Sequence, residues 1–555
     1  MKRIVALLLS GLAFPCLAKG VPEVAFDWFQ YEGRDPQFDE PLQPGRYRNP
    51  VLAGFYPDPS VVRVGGDYYL VNSSFAYFPG LPVFHSTDLV HWRNIGHALH
   101  RREQLTFENG QGISRGIFAP TIRHHDGLFY VITTDVDGIG NFYVTAGNPA
   151  GPWSDPVPLP EIHGIDPDLF FDDDGRAWIS HNGEPPGEPL YDGHRAIWLW
   201  EFDLEQRRVV ADSGRVLVDG GVDISRQPIW IEGPHLYKVG GWYYLAAAEG
   251  GTGEGHSQVI FRARSLEGPF LPWDGNPILT QRDLDPARPN PVTSTGHADL
   301  VQTQNGDWWA VFLGVRPYEE GHFNTGRETF LLPVTWHDGW PRILQPATPV
   351  PLQPRQPDLP VPADLPPPQT GNFAWREDFD GPELNAEWLQ VLTSPVEWHV
   401  LDAAAGEIRL QALPVLLSEK TQPAFLARRQ QHRAFAASTR LAMPDDTAVS
   451  AGIAAFQGSD FHYYLGVRRV DGGCQLELEQ VREGRRSSLA TIDSSDCGSH
   501  IELGLQQHGA RLDFHYDLHG QRQWLARGVD ATLLSTQVAG GFVGATVGIH
   551  ARRAE

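Results

Sequence analysis

Along the N-terminal part of the chain, short segments of alternating apolar and polar residues recur between turn residues. This alternation has the period of two that indicates β-strands, whereas no long stretch keeps the spacing of three and four residues that indicates a helix. Glycine and proline, 58 and 46 of the 555 residues, separate the segments as they do at turns. The pattern therefore predicts an all-β protein built from many short strands.

Five of these segments align on their first residues, with successive openings 47 to 67 residues apart. The openings are Asp58-Pro-Ser-Val-Val, Ala119-Pro-Thr-Ile-Arg, Asp166-Pro-Asp-Leu-Phe, Gly233-Pro-His-Leu-Tyr and His297-Ala-Asp-Leu-Val. Most continue through a glycine-containing turn into a strand rich in aromatic residues. A four-stranded propeller blade with variable loops has about this length. The five repeats therefore predict a five-bladed β-propeller.

A proline-rich stretch, residues 346–371, separates the repeats from the rest of the chain. Its prolines are too dense for a helix or a central strand, so it is predicted to run extended over the surface. Beyond it, separated alternating segments such as those beginning at Ile501 and Arg511 predict a β-sandwich. We therefore assign residues 19–345 to the propeller and residues 372–555 to the sandwich.

The first residues have the layout of a secretory signal. Two basic residues precede an apolar run and small residues at plausible cleavage positions, so residues 1–18 are predicted to be removed. The protein is then expected to be exported, to the periplasm or out of the cell. Cys474 and Cys497 would share an oxidising compartment, where they form one disulfide or stay as two buried thiols. No later apolar stretch is long enough to span a bilayer.

Charge narrows the choice of partners. The formal net charge of −24 at pH 7 repels phosphate backbones and anionic headgroups, which argues against nucleic acid and membrane surfaces. Neutral ligands such as sugars fit this surface better. The 17 Trp, 16 Tyr and 28 Phe residues are enough for substantial cores. The sequence leaves open whether the protein forms a homo-oligomer.

The repeat openings place several candidate functional residues together, because the innermost strands of a propeller begin around a central channel. The openings supply Asp58, Asp166 and His297, and Glu232 stands immediately before the fourth opening. Three converging carboxylates raise one another's pKa and cost stability, so stability alone does not explain them. Glycoside hydrolysis explains the three carboxylates, because this reaction needs one protonated carboxylic acid and one carboxylate that activates water.

The same carboxylates are also compatible with roles that involve no catalysis. Aspartates in such openings shape tight turns by accepting backbone N–H bonds. In a non-catalytic, lectin-like propeller, carboxylates would only bind sugar hydroxyls. Asp168 points to the same face of its strand as Asp166 and competes for the same role. The alignment of the repeats favours Asp166.

Five segments carry a resemblance to a known family: residues 49–60, 166–175, 232–238, 295–299 and 326–330. Together they resemble glycoside hydrolase family 43, in particular the β-xylosidase and α-L-arabinofuranosidase branch with a C-terminal, concanavalin-A-like sandwich. The resemblance implies an inverting, exo-acting enzyme that requires no cofactor. Its substrates would be xylo- or arabino-oligosaccharides, from which it releases β-D-xylose, α-L-arabinofuranose or both. The sequence does not decide between the two sugars.

The resemblance also implies a role for each polar site residue. Asp58 matches the general base, Glu232 the general acid, and Asp166 the carboxylate that orients the acid and adjusts its pKa. Arg327 matches a residue that contacts the sugar in the −1 subsite, and its planar fork of donors suits vicinal hydroxyls. The alternative for Arg327 is a structural salt bridge with the neighbouring Glu328.

Three further residues are expected near the sugar. The resemblance implies that His297 lies in the channel, where some family members hold a calcium ion or a water. A lone histidine is, however, more often structural, and no carboxylate cluster beside it resembles a calcium cage. Phe118 and Phe75 are predicted to stack on the sugar ring, with packing between blades as the alternative. Related sandwich domains lend an aromatic residue to the pocket rim, which the sequence does not identify.

Overall fold

The computed structural model of the protein describes residues 20–107, 110–393 and 397–553. The predicted signal segment, residues 1–18, lies outside this range. The helical elements of the described part are Thr536–Ala539 and the short 3-10 helices Pro36–Phe38, Arg102–Gln104, Ile224–Arg226, Glu319–Gly321 and Ala531–Leu534. None of these helices is long and apolar enough to cross a membrane. All other regular structure in the described part is β, which confirms the predicted class.

Five antiparallel sheets form the blades of a propeller, numbered here in chain order. Blade one contains Ser60–Val64, Asp67–Val71, Gly80–Ser86 and Arg93–Leu99. Blade two contains Thr121–His125, Leu128–Asp135, Gly140–Ala146 and Val157–Pro158. Blade three contains Ile165–Phe171, Ala177–Gly183, Ala196–Asp203, Arg208–Val209 and Arg215–Asp219. Blade four contains Glu232–Val239, Trp242–Glu249, Ser257–Ala263, Leu271–Pro272 and Leu279–Thr280. Blade five contains Thr293–Gln302, Trp308–Val315, Glu328–His337 and Trp340–Arg342.

Apolar side chains between neighbouring blades close the ring. Blades one and five share one core, in which Tyr68 and Phe84 of the first blade meet Trp309 and Leu331 of the last. Strand Trp308–Val315 is buried along almost its whole length, because a second strand of a blade is covered on both faces by the adjacent blades. The five-bladed propeller predicted from the repeats is confirmed.

The second domain is a sandwich of two eight-stranded sheets. The first sheet contains Glu23–Gly33, Phe373–Glu377, His399–Asp402, Glu407–Gln411, Ala434–Ala442, His500–His508, Arg511–Leu518 and Gln521–Asp530. The second contains Tyr77–Phe78, Leu389–Val391, Phe425–Arg429, Val449–Gly458, Phe461–Val470, Gly473–Arg482, Arg485–Ser494 and Thr546–Arg553. Apolar residues from the inner faces of both sheets form one core. The structure joins Cys474 to Cys497 in a disulfide.

Two strands cross the predicted domain boundary. Glu23–Gly33 pairs with Glu407–Gln411 and Ala434–Ala442 in the sandwich, so the assignment of all of residues 19–345 to the propeller is wrong for this strand. Tyr77–Phe78, inserted within blade one, extends the other sandwich sheet. The local alternation of apolar residues indicates a half-buried strand but does not specify which distant strand will pair with it.

The proline-rich stretch of residues 346–371 runs without helix or strand, as predicted. It is anchored on the propeller, because Val350 joins the core between blades four and five and Leu359 the core between blades one and five. A further core continues from blades one and two into the sandwich and includes Phe55 and Phe425. The two domains therefore share apolar packing.

Candidate active site

Four of the five blade openings share an unusual backbone conformation. Asp58, Asp166 and His297 have φ angles of 52°, 56° and 50°, and Gly233 takes the same conformation with φ of 55°. For a residue with a Cβ atom this conformation costs on the order of 1–3 kcal/mol and persists only where the surrounding structure enforces it. Because the fourth opening has glycine here, the carboxylate of that repeat comes from the preceding residue, Glu232.

Irregular strand pairing accompanies these openings. The register of the first two strands shifts around Asp166 in blade three, just after Glu232 in blade four and around His297 in blade five. A β-bulge bends its strand and redirects a side chain that would otherwise follow the regular alternation. The bulges and the positive φ angles together turn these side chains towards one another.

A pocket of about 290 Å³ lies at the blade openings. Its walls include all the site residues predicted from the sequence, namely Asp58, Phe75, Phe118, Asp166, Glu232, His297 and Arg327. Trp230 from the propeller and Phe542 from the sandwich complete much of the remaining wall. Residues separated by more than two hundred positions in the sequence thus face one small cavity.

Asp58 is held as a carboxylate. Arg327 Nη1 donates a hydrogen bond of 2.8 Å to its Oδ1, and Ser73 Oγ donates one of 2.5 Å to its Oδ2. Burial raises the pKa of Asp58, but the charge of Arg327 and the hydrogen bond from Ser73 outweigh burial and hold the pKa below its ordinary value. Asp58 is therefore ionised at neutral pH, which is the state that a general base requires.

The environments of Glu232 and Asp166 raise their pKa values, in contrast to that of Asp58. Burial, followed by the charges of Asp166 and Asp58, raises the pKa of Glu232 well above its ordinary value. Burial and then Asp58 also raise the pKa of Asp166. The N–H of Gly233 donates a 3.1 Å hydrogen bond to Asp166 Oδ2, which fixes Asp166 against the strand that carries Glu232. This arrangement keeps a neutral carboxylic acid beside an ionised Asp58.

His297 lies against Asp58, with 3.8 Å between its Nδ1 and Asp58 Oδ1. Burial lowers the pKa of His297 to about 3, so the ring is neutral. Calcium prefers six to eight oxygen ligands. Across the described ranges, no group of three or more His, Cys, Asp or Glu side chains is arranged to hold a metal ion. The side chains around His297 therefore do not fit a calcium cage.

Asp168 does not enter the pocket. Arg123 Nη2 lies 2.8 Å from its Oδ1, and the N–H of Leu236 donates a 3.1 Å hydrogen bond to its Oδ2. Its side chain is fully buried. Of the two aspartates that competed for the same role, the structure thus places Asp166 among the site residues and uses Asp168 to join blades two, three and four.

Three aromatic rings form one side of the pocket. The ring centroids of Phe75 and Phe118 are 5.6 Å apart in an edge-on arrangement, and Phe542 lies 5.8 Å from Phe118. Phe542 also lies beneath the guanidinium of Arg327, 5.6 Å from ring centroid to Cζ. It is the sandwich residue that the sequence did not identify, because no local pattern shows that the loop after Gly540 and Gly541 reaches the propeller.

A second buried cluster of charges, the interdomain cluster, consists of Asp35, Arg316, Glu328 and Arg433. Arg316 donates to both carboxylate oxygens of Glu328 at 2.6 and 2.7 Å and to Asp35 at 2.7 Å. Asp35 accepts the N–H of Arg433 at 2.7 Å, which ties the cluster to the sandwich. Glu328 is thus paired with Arg316, and the alternative of a salt bridge between Arg327 and Glu328 is wrong.

The interdomain cluster also supports the site next to it. Glu328 directly follows Arg327 in the chain and accepts a 2.9 Å hydrogen bond from the N–H of Gly54, in the segment that leads to Asp58. Burial raises the pKa of Glu328, but its two-pronged geometry with Arg316, whose own pKa is raised, identifies an ion pair. The cluster therefore fixes the backbone on both sides of the Arg327–Asp58 pair.

Known families and individual relatives match this chain over most of its length. The family described as "Glycosyl hydrolases family 43" matches residues 47–341, and the "Beta xylosidase C-terminal Concanavalin A-like domain" matches residues 376–555. A "Xylosidase/arabinosidase" of Butyrivibrio fibrisolvens is 39% identical, covering 91% of this chain and 95% of the relative. A "Non-reducing end alpha-L-arabinofuranosidase" of Bacteroides ovatus is 35% identical, covering 91% of each chain.

A solved structure extends the likeness to three dimensions. The crystal structure of a GH43_12 protein retrieved from a capybara gut metagenome is 40% identical, has a TM-score of 0.90, and covers 96% of this chain and 100% of its own. The carboxylate-lined propeller pocket and these relatives define a glycoside hydrolase. More particularly, the chain belongs to glycoside hydrolase family 43, with a concanavalin-A-like second domain, which confirms the resemblance seen in the sequence.

Proposed function

We propose that the protein is an inverting, exo-acting glycosidase that releases β-D-xylose, α-L-arabinofuranose or both from xylo- or arabino-oligosaccharides. One observation carries this proposal: a single small pocket holds Glu232 with a raised pKa and Asp58 with a lowered pKa. Two carboxyl groups whose environments push their pKa values apart are what acid and base roles require at one pH. The names of the relatives from Butyrivibrio and Bacteroides support the two sugars.

In this mechanism Glu232 acts as the general acid. Its proton passes to the glycosidic oxygen as the bond to the anomeric carbon breaks, so the leaving sugar departs as a neutral alcohol. Asp58 accepts a proton from a water that attacks the opposite face of the anomeric carbon, which inverts its configuration. Asp166 keeps the pKa of Glu232 high and stabilises its orientation as a positioning residue.

Arg327 has two tasks in this mechanism. Its bond to Asp58 keeps the base ionised and oriented, and its remaining donors face a cavity that fits a sugar ring with vicinal hydroxyls. Phe75, Phe118 and Phe542 provide apolar surface for the carbon face of the ring. The small pocket suits one terminal sugar, which supports exo action.

We also propose a cellular location for the enzyme. The N-terminal signal pattern and the Cys474–Cys497 disulfide both fit a protein exported to the periplasm or the exterior, where disulfides persist. Neutral pentose oligosaccharides fit the acidic surface, and nucleic acid and membranes do not. Cell fractionation tests this location. The protein should be recovered from the periplasm or the medium, and its disulfide should be oxidised.

Hydrolysis of p-nitrophenyl β-D-xyloside and α-L-arabinofuranoside tests the catalytic proposal. Wild type should cleave at least one of them, and Asp58→Asn and Glu232→Gln should each lower kcat by about 10²–10⁴-fold. Asp212→Asn and Glu205→Gln, in exposed turns of the propeller, make the same chemical changes and should keep full activity. A wild type that binds the oligosaccharides without cleaving any of these substrates would contradict the proposal.

A further inference from the structure

The first sheet of the sandwich carries a groove of its own, separate from the reaction pocket. Its volume is about 450 Å³, and none of the described residues that line it also lines the reaction pocket. Leu505 and Phe514 belong to the sandwich core, so the residues that follow them, Gln506 and His515, face away from the core and line the groove. The groove therefore lies on the outer face of this sheet.

Six residues lie directly opposite one another on six neighbouring strands of this face, and we call them the outer row. The register pairs Arg376 with Gln30, Gln30 with Ser438, Ser438 with Gly504, Gly504 with His515 and His515 with Trp524. Neighbouring strands are about 4.8 Å apart, so the outer row crosses roughly 24 Å of sheet. An extended ligand lying across the strands would contact several of these residues at once.

The centre of the outer row is packed around Gly504. A Cβ atom at Gly504 would lie 2.4 Å from Cε1 of His515 and 2.9 Å from Cβ of Ser438, so the His515 ring occupies the space that a side chain would need. Burial lowers the pKa of His515 to about 4, so the ring is neutral. Its Nδ1 is buried and has no hydrogen-bond partner among the described residues. Such an atom calls for a partner from outside the chain, such as a water or a ligand hydroxyl.

The cations of the groove are already paired. Arg376 Nε lies 2.7 Å from Asp378 Oδ1, and Arg522 Nη2 lies 3.4 Å from Glu502 Oε1. Glu32, an exposed residue of the groove wall, adds a negative charge. Because an anionic ligand would meet paired arginines and this glutamate, the charges of the groove favour a neutral ligand.

Two kinds of surface in and beside the groove suit a sugar. Gln30 donates a 2.9 Å hydrogen bond to Ser438 Oγ, and Gln506 offers a second side-chain amide, so neutral donors and acceptors are available for hydroxyl groups. At the end of the outer row the Trp524 side chain is 39% exposed, and the Arg527 guanidinium holds its ring from 5.1 Å away. An exposed, fixed indole is a surface on which the carbon face of a sugar packs.

We propose that the outer row is a second, non-catalytic binding site for a neutral polysaccharide. Trp524 packs against a sugar ring, and the amides and hydroxyl of the groove bind its hydroxyl groups. The choice of xylan or arabinan as the ligand rests on the proposed function. A polymer bound here keeps its chain ends at a high local concentration near the reaction pocket of the same molecule.

Polymer binding tests this proposal directly. Affinity electrophoresis with soluble xylan and soluble arabinan measures it in the Glu232→Gln enzyme, in which hydrolysis is suppressed. In this background Gln506→Trp, which fills the groove, and Trp524→Ala, which removes the exposed ring, should each weaken binding by about tenfold. Gln206→Trp, in an exposed turn of blade three, is the matched control for Gln506→Trp and should bind like its parent.

A second measurement shows that the groove variants are folded. With Glu232 restored, Gln506→Trp and Trp524→Ala should keep the wild-type kcat/KM for the p-nitrophenyl glycosides, because neither residue lines the reaction pocket. The proposal is overturned if the Glu232→Gln enzyme binds neither polymer, or if both groove variants bind like Gln206→Trp. A wild type that cleaves neither aryl glycosides nor oligosaccharides would contradict the proposed function instead, so the two failures are distinguishable.

Discussion

The reaction pocket and the interdomain cluster are two buried groups of charged side chains built on opposite principles. In the interdomain cluster, Asp35 and Glu328 face Arg316 and Arg433. Short hydrogen bonds join both carboxylates to the Arg316 guanidinium, and Nε of Arg433 lies 3.9 Å from Asp35 Oδ2. In the reaction pocket, three carboxyl groups share one guanidinium, that of Arg327, because His297 is neutral. A buried charge is tolerated where it is paired, and an unpaired carboxyl instead takes up a proton.

The difference between the two groups shows how to tell a structural charge cluster from a catalytic one. Balanced charges hold the domains together. The unbalanced carboxyl groups of the pocket, two of which lie on backbone with positive φ, cost stability and are explained by chemistry. Glu328 and Glu232 illustrate the difference, since both are buried glutamates but only Glu328 has a guanidinium bound to both of its oxygens.

The largest expected effect comes from replacing the unbalanced acid. Glu232→Gln should lower kcat by about 10²–10⁴-fold, yet it should raise the free energy of unfolding at pH 7 by about 1 kcal/mol. The raised pKa of Glu232 means that its stabilising contribution is present at acidic pH and lost as the pH rises through that pKa. The gain should therefore be larger at pH 8 than at pH 4, as measured by urea unfolding.

The balanced cluster should respond in the opposite way. Glu328→Gln breaks a buried ion pair and should lower the free energy of unfolding by about 3 kcal/mol. At temperatures well below the unfolding midpoint, kcat should fall by less than about tenfold, since Glu328 acts through Arg327 and Gly54. A loss of activity as large as that of Asp58→Asn, with unchanged stability, would remove the distinction between the two clusters.

A smaller effect is expected at the pocket wall that comes from the sandwich. Phe542→Ala removes apolar surface beside Arg327 and Phe118 and should lower kcat/KM by about tenfold, mainly through KM. Leu489→Ala, an exposed apolar residue elsewhere in the sandwich, is the control. Equal kinetics of the two variants would show that the sandwich does not shape the site.

The smallest effect is expected in the pH dependence of kcat/KM. For free enzyme, kcat/KM should fall on the acidic side as Asp58 is protonated, at a pH below the ordinary aspartate pKa. It should fall on the alkaline side as Glu232 loses its proton, at a pH above the ordinary glutamate pKa. A profile whose two limbs both lie near ordinary carboxyl values would mean that the pocket does not separate the two groups.

Much of this fold and site follows from the sequence because the repeats align. The common opening of each blade places Asp58, Asp166 and His297 in register and identifies Glu232 from its neighbour Gly233. The sequence does not predict that Glu23–Gly33 pairs with the sandwich or that Phe542 reaches into the pocket. Both features depend on contacts between distant segments. The partner of Glu328 does not follow either, since Arg316 lies on the preceding strand connection and not beside it in sequence.

The most direct test of the catalytic assignment is an NMR titration of the Glu232 side chain in ¹³C-glutamate-labelled enzyme, with the signal assigned by its absence in Glu232→Gln. We expect a pKa well above the ordinary glutamate value in wild type, and a lower pKa in Asp166→Asn, which removes one like charge. A Glu232 that titrates at or below the ordinary value in wild type would contradict its role as the general acid.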